Sequence, residues 1–411
     1  MTFEDTRLYM YRSEINSLSC LYTKNFPNLQ SDILKVSGLK TPGKLNKNIA
    51  ILFSGGPAPG GHTVVVTVAK FCEATKSNLY AVQDGPGGLI KGKLRLLTYD
   101  SCKAYYNTGG FELLGTDRTK IKSDQQYKSI EAVVKQYQLD AIIIIGGDDS
   151  HTNAVFLAQY LSKVNCAVIG VPKTIDGDLR FLPYLPISFG FHTAVDTYAN
   201  LVKALIKDTE STKKYWHIVK LMGRSTGHIA RAVGQIAKPD FVLLGEDVRD
   251  KKLSYADIIT QLCDVIQRAQ KNNKDYGVIC IAEGLLEWIP NFDVRDVLND
   301  QVSYDSHGNL ELSRLELEQL LIKDIKKRLE PGADSDSFKA IPHFYGYEGR
   351  CVDPNEFDAN LCEKLGVSAA SLALQGYSGY MATEEYAVPI ACMLSEELRQ
   401  GKIELVVQKF V

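Results

Sequence analysis

The stretch IIIIGGDDSHTNA, residues 142–154, sets Asp148 and Asp149 directly after two glycines at the end of an isoleucine run. A turn of that build is a seat for a phosphate, because bare backbone N–H groups can approach the anion and a following helix adds its positive end. Two carboxylates in such a seat repel a phosphate unless a cation lies between them. Asp148 therefore reads as a ligand for Mg2+, directly or through water. Helix capping is the competing reading, with Asp149 or Ser150 capping a helix that begins near His151; it accounts for one aspartate, not both.

A second segment, PKTIDGDL (172–179), puts Lys173, Thr174, Asp176 and Asp178 close together after another apolar run. Phosphoryl transfer to an alcohol needs a base near the hydroxyl, a metal ligand and a cation on the moving charge, and these residue types supply all three. An Asp-Gly-Asp turn in solvent is the plainer alternative. SGGPAPGGH (54–62) carries four glycines and two prolines, as a phosphate cradle or merely a tight strand-to-helix turn would. His62 within it reads as a packing or capping residue. MGRS (222–225) and AEGL (282–285) each close an apolar run: Arg224 could grip a phosphate with two hydrogen bonds, and Glu283 could accept from sugar hydroxyls.

The elements that must position these residues are legible as periodicity. IAILFSG (49–55), DAIIIIGG (140–147), CAVIGVPKT (166–174), YWHIVKLMG (215–223), FVLLGE (241–246) and YGVICIAEG (276–284) read as strands, alternating with helical patterns such as 191–210 and 254–271. Continuous apolar strands between helices predict an α/β fold with a mostly parallel sheet covered on both faces. Ligands of such sheets bind beyond the carboxyl ends of the strands, where the residues above stand. Residues 1–48 lack this rhythm and read as an irregular or helical extension.

Composition narrows the function classes. The chain has 411 residues, enough for two lobes, and a net charge of −2, which offers no general attraction to nucleic acid or to an anionic membrane. No apolar run approaches a membrane span and the N-terminus has no signal-peptide pattern, so a cytoplasmic protein is expected. The nine cysteines form no C-x-x-C pair and no zinc-ligand spacing, and read as free, buried thiols.

The order of motifs is more specific than any one of them. SGGPAPGGH, GPGGLI (85–90), NTGGF (107–111), GGDD, PKTIDGDL, SFGFHTA (188–194), KKYW (213–216), MGRS, AEGL and YGYEGRC (345–351) together resemble the phosphofructokinase family, and within it the long-chain pyrophosphate-dependent branch, from about Ile49 to Met381. That resemblance implies two Rossmann-like three-layer lobes with a reaction cleft between them. The first, 49–185 plus 344–376, would bind pyrophosphate and Mg2+; the second, 186–343 plus 377–411, would bind fructose 6-phosphate. It implies reversible transfer from pyrophosphate to the C1 hydroxyl of fructose 6-phosphate, a step of glycolysis or gluconeogenesis.

Matched position by position, the resemblance puts Gly55 and Arg118, the latter in GTDRTK, on the pyrophosphate and Asp148 on the metal. Asp176 would be the general base, with Thr174, Ile175 and Asp178 beside it. Met222, Gly223, Arg224, Glu283, Tyr347, Glu348, Gly349 and Arg350 would hold the sugar phosphate. Lys214 and Tyr215 would reach a neighbouring subunit's sugar site, implying a homodimer or higher oligomer. Asp149 stands where ATP-dependent relatives have glycine. Two like charges 4 Å apart cost about 4 kcal/mol at an effective dielectric near 20, roughly a thousandfold in affinity, so this carboxylate would exclude a nucleotide's α-phosphate. Lys173 would neutralise charge on the departing orthophosphate.

Two stretches are shorter than the family pattern, after Trp288-Ile289-Pro290 and after Gly379–Thr383. Two other functions fit the same motifs: a catalytically weak regulatory subunit, for which loss of the base or metal ligand would be the sign, and an ATP-dependent 6-phosphofructokinase.

Overall fold

Strands buried on both faces need no polar alternation, and the apolar runs fold accordingly. The computed structural model describes residues 8–12, 23–38, 44–223, 226–290, 315–329, 338–399 and 402–409. The chain divides into two units: Met1–Thr174 with Leu179–His192 and Arg350–Phe410, and Ile175–Asp178 with Thr193–Gly349 and Val411.

In chain order, the first unit contributes β1 (Leu8–Arg12), β2 (Leu34–Gly38), β3 (Asn48–Ser54), β4 (Asn78–Val82), β5 (Leu94–Leu97), β6 (Thr116–Asp117), β7 (Ala141–Gly146), β8 (Ala167–Thr174) and β9 (Phe189–Gly190). The second unit contributes β10 (Trp216–Leu221), β11 (Phe241–Leu243), β12 (Gly277–Ala282) and β13 (Ala340–Tyr345). The chain then returns to the first unit with β14 (Tyr380–Ala382), β15 (Tyr386–Pro389) and the hairpin β16 (Leu394–Arg399) and β17 (Lys402–Val407).

The first sheet runs β1-β2-β15-β14-β8-β7-β3-β4-β5, with β6 beside β3 and β9 beside β8. Its centre is parallel, since β14, β8, β7, β3 and β4 pair in that sense, and antiparallel strands complete both edges. All six residues of β7 are buried, and Ile142, Ile144, Val168 and Leu157 share one core. The second sheet, β11-β12-β10-β13, is wholly parallel and packs Trp216, Ile218, Ile279 and Ile281 against Leu262, Ile266 and Leu321. Lys220 lies within this sheet, 1% exposed, with Glu318 3.2 Å from its ammonium and Leu315 O accepting from it.

The strands read from the apolar runs are all present. FVLLGE ends earliest, at Leu243, because a helix takes over at Gly245. The α/β class with mostly parallel sheets is thus borne out.

Three readings are corrected. Within the extension 1–48, read as irregular or helical, the described residues Leu8–Arg12 and Leu34–Gly38 are strands: β1 and β2 pair with each other, and β2 pairs with β15 at Tyr386↔Lys35 and Ala387↔Leu34. The described residues of 377–411 belong with the first unit rather than the second, because Tyr380 and Met381 of β14 pair with Ile169 and Gly170 of β8. The described cysteines are free, buried thiols except Cys351, which is free but exposed, and Cys392, which is half-buried and disulfide-bonded. Of the two short stretches, the second closes as a tight hairpin, with Thr383 N donating to Tyr386 O at 2.9 Å, whereas residues 291–314 lie outside the described residues. Among the described residues no helix is long and apolar enough to cross a membrane.

Candidate active site

In the first unit, SGGPAPGGH joins β3 to helix α1 (Gly61–Ala74). Gly55 takes φ +86°, a conformation that glycine adopts without strain, and its N–H donates to Asp117 O at 2.9 Å. That N–H is therefore engaged, and a ligand would meet Gly55 through its bare Cα. A Cβ there would lie 3.5 Å from the ammonium of Lys173, so the lysine of β8 comes up against this turn. A Cβ on Gly56 would lie 2.1 Å from a guanidinium nitrogen of Arg350, which rests on the same loop. Arg118 is exposed and stands one residue beyond the Ser54↔Asp117 pair, level with Gly55.

Asp117, which sequence reasoning passed over inside GTDRTK, organises this corner. Its carboxylate accepts from Gly87 N at 3.2 and 3.1 Å and from Thr119 Oγ1 at 2.5 Å. The GPGGLI motif follows from this contact, because a Cβ on Gly87 would come within 2.3 Å of Asp117 Oδ2.

The GGDD turn opens helix α2 (Asp148–Leu161). Gly147 is the N-cap and makes no side-chain capping bond, so both aspartates lie in the first helical turn and neither caps it. The capping alternative thus does not account for either one. Each carboxylate instead holds a lysine from elsewhere: Asp149 pairs with Lys120 at 3.5 Å, and Asp148 with Lys409 at 3.4 Å. Ser150 Oγ donates to Ser54 Oγ at 2.8 Å and ties the two glycine turns together. His151 is fully buried beneath β8; burial first, then the Lys173 ammonium, holds its imidazole down to about 3, so it stays neutral. His62 is likewise buried, with Nδ1 2.9 Å from Thr108 Oγ1, and burial lowers its pKa, as suits a packing residue.

Among the described residues no group of three or more His, Cys, Asp and Glu could hold a metal ion. Asp148 still fits Mg2+, which keeps several waters and is bound through one or two carboxylates plus substrate phosphates rather than a protein cage. The carboxylate already attracts a cation, the Lys409 ammonium.

In the second unit, Ile175 and Asp178 are buried, and Asp176 is half-buried with its carbonyl oxygen accepting from Thr226 Oγ1 at 3.4 Å. Thr174, the last residue of β8, falls in the first unit. At the carboxyl end of β10, Met222 N donates to Tyr345 O at 3.0 Å and Gly223 N to Glu283 Oε2 at 3.1 Å. Met222, Gly223 and Glu283 are thereby brought to one edge of the sheet. Glu348 accepts from Gly346 N at 2.8 Å, Gly349 packs on the Tyr198 ring, and Tyr347 is 58% exposed. Arg224 lies outside the described residues. Lys214 and Tyr215 are exposed at the opposite end of β10, and Tyr215 has φ +67°, uncommon for a bulky side chain. Seven residues at about 3.3 Å each set Tyr215 roughly 23 Å from Met222. These two are not brought to the same chain's Met222–Glu283 edge.

Residues 48–373 match the phosphofructokinase family. The chain is 35% identical to the pyrophosphate–fructose 6-phosphate 1-phosphotransferase of Treponema pallidum, over 88% of this chain and 74% of that one. It is 34% identical to the enzyme's subunit beta 2 from Arabidopsis thaliana, over 94% and 78%. Among solved structures it resembles a pyrophosphate-dependent phosphofructokinase from Marinobacter aquaeolei, with a TM-score of 0.63 and 20% identity over 89% of this chain and 82% of that one, a likeness of fold.

Proposed function

The chain belongs to the phosphofructokinase family, and from that premise we propose that it transfers a phosphoryl group reversibly from pyrophosphate to the C1 hydroxyl of fructose 6-phosphate. The products are fructose 1,6-bisphosphate and orthophosphate. Asp149 carries the choice of donor: it occupies the first turn of α2, paired with Lys120 at 3.5 Å and with no capping role to account for it. A helix N-terminus that would otherwise welcome a further phosphate is filled by a fixed carboxylate. The relatives above bear names that state the same reaction.

In this reading Asp176 takes the proton from the C1 hydroxyl. The C1 oxygen bonds to the distal phosphorus as that atom's bond to the bridging oxygen breaks, and the bridge leaves with orthophosphate. Lys173, against the Gly55 turn, opposes the charge that builds on the departing group, with Arg118 level with the same turn. Magnesium brought by the donor would be held by Asp148 and would neutralise charge on the phosphate oxygens. Met222, Gly223, Glu283 and the Tyr347–Arg350 turn, with Arg224, would fix the sugar phosphate so that its C1 hydroxyl, not another, meets Asp176.

Lys214 and Tyr215 would serve a second copy's sugar site, a reading supported by their exposure and their distance along β10 from Met222. A homodimer or larger oligomer follows, measurable by light scattering. A cytoplasmic location is supported by the seven free thiols among the described residues, with the Cys392 disulfide standing against it. The test of the function is a coupled assay of the isolated chain with fructose 6-phosphate and either Mg-pyrophosphate or Mg-ATP. Turnover with pyrophosphate only is expected; turnover with neither would identify a regulatory subunit.

A further inference from the structure

The hairpin β16–β17 is not among the motifs that sequence reasoning singled out, yet it ends at the donor residues. Val407 is 1% exposed, and its N–H donates at 2.9 Å to Thr152 Oγ1, which in turn donates to Asp148 O at 3.0 Å. Gln408 N donates to Met393 O at 2.9 Å. The strand is thus pinned to the first turn of α2, and two residues beyond its end Lys409 places its ammonium 3.4 Å from Asp148 Oδ2. Both side chains are mostly buried, 22% and 23% exposed, so this is not a freely solvated surface pair.

This contact cannot persist when the donor arrives. A magnesium ion on Asp148 would sit about 2 Å from a carboxylate oxygen, and the lysine ammonium would be left beside a divalent cation. The phosphate oxygens that come with the metal are anions able to accept that ammonium. Resting on the function proposed above, we infer that Lys409 is a donor-binding residue, which neutralises Asp148 in the donor-free chain and passes to a phosphate oxygen of pyrophosphate when Asp148 takes up the metal. The exchange keeps positive charge in the first turn of α2 in both states. Without it, the two carboxylates of that turn, Asp148 and Asp149, would lose one of the ammonium groups that offset them.

The test compares the full-length protein with its Lys409→Met, Lys409→Gln and Lys409→Arg variants. Calorimetric titration with pyrophosphate in excess Mg2+ gives the donor's Kd directly, and repeating it across free Mg2+ concentrations gives the metal midpoint. Losing a charge-assisted contact should raise the Kd by about tenfold or more in Lys409→Met and Lys409→Gln, with Lys409→Arg recovering most of it. The free-Mg2+ midpoint should fall in the two neutral variants, since the competitor for Asp148 is gone. The KM for fructose 6-phosphate should not move. A donor Kd unchanged in both neutral variants, or a loss that arginine does not restore and that affects the sugar equally, overturns the inference. A wild-type chain that binds ATP but not pyrophosphate would instead overturn the donor reading on which it rests.

Discussion

Replacing Lys173 by methionine keeps its length and apolar stem but removes its charge. The side chain is 7% exposed, and its ammonium lies 3.5 Å from where a Cβ on Gly55 would stand. A phosphate oxygen resting on that glycine would be about as close. One pair of unit charges at 3.5 Å and an effective dielectric near 20 interacts by about 5 kcal/mol before desolvation is subtracted. The net loss should resemble that of a single preorganised donor, roughly 3–4 kcal/mol, or a fall in kcat of about 10²–10³. Because the charge on the departing phosphate is largest in the transition state, the KM values for pyrophosphate and fructose 6-phosphate should change little. Steady-state kinetics with each substrate varied in turn checks this.

A second readout does not depend on activity. Lys173 is the second cause of the low pKa of His151, so the variant's imidazole should titrate higher in an NMR titration. A fall in kcat of less than tenfold, or a loss confined to KM, would refute the assigned role. An unmoved His151 would refute the geometry behind it.

Two more predictions follow from named groups. His151 is neutral in the folded chain down to about pH 3, while in the unfolded chain it protonates below about 6.5. Its contribution is complete above pH 6.5 and is lost on acidification toward 3, up to roughly 5 kcal/mol. Denaturant titrations across that range should show the slope, and the apolar His151→Phe should flatten it. Asp176→Asn, which keeps the shape of the base but cannot take a proton, should lower kcat by about 10²–10⁴ with pyrophosphate binding unchanged in calorimetry; retention of more than a tenth of the activity would remove Asp176 from the role.

Much of the architecture was legible because its signal is local. A buried parallel strand is an unbroken apolar run, and IIIIGG or VICIA can be little else. The same locality explains why the residues after each strand could be picked out, since a parallel sheet delivers its strand ends to one edge. What could not be read depends on partners distant in sequence. β2 has no strong periodicity and is a strand because β15, some 350 residues later, offers it an edge. Asp117 was within a quoted motif, but its importance comes from Gly87, which needs the fold to bring it near. Lys120 and Lys409 are ordinary lysines until α2 places carboxylates beside them. The capping alternative for the aspartates failed for a local reason: the helix starts three residues earlier than expected, at Asp148, so both fall inside it.

The account turns on Asp149, and the most direct measurement is the ratio of kcat/KM for pyrophosphate to kcat/KM for ATP, in the native chain and in Asp149→Gly. Removing the carboxylate that Lys120 holds at 3.5 Å should open the first turn of α2 to a nucleotide's α-phosphate. The ratio should then fall by about a thousandfold, the factor that 4 kcal/mol of repulsion implies, with part of the change from ATP becoming a donor. A native chain that uses ATP as well as pyrophosphate, or a ratio that Asp149→Gly leaves unmoved, would contradict it.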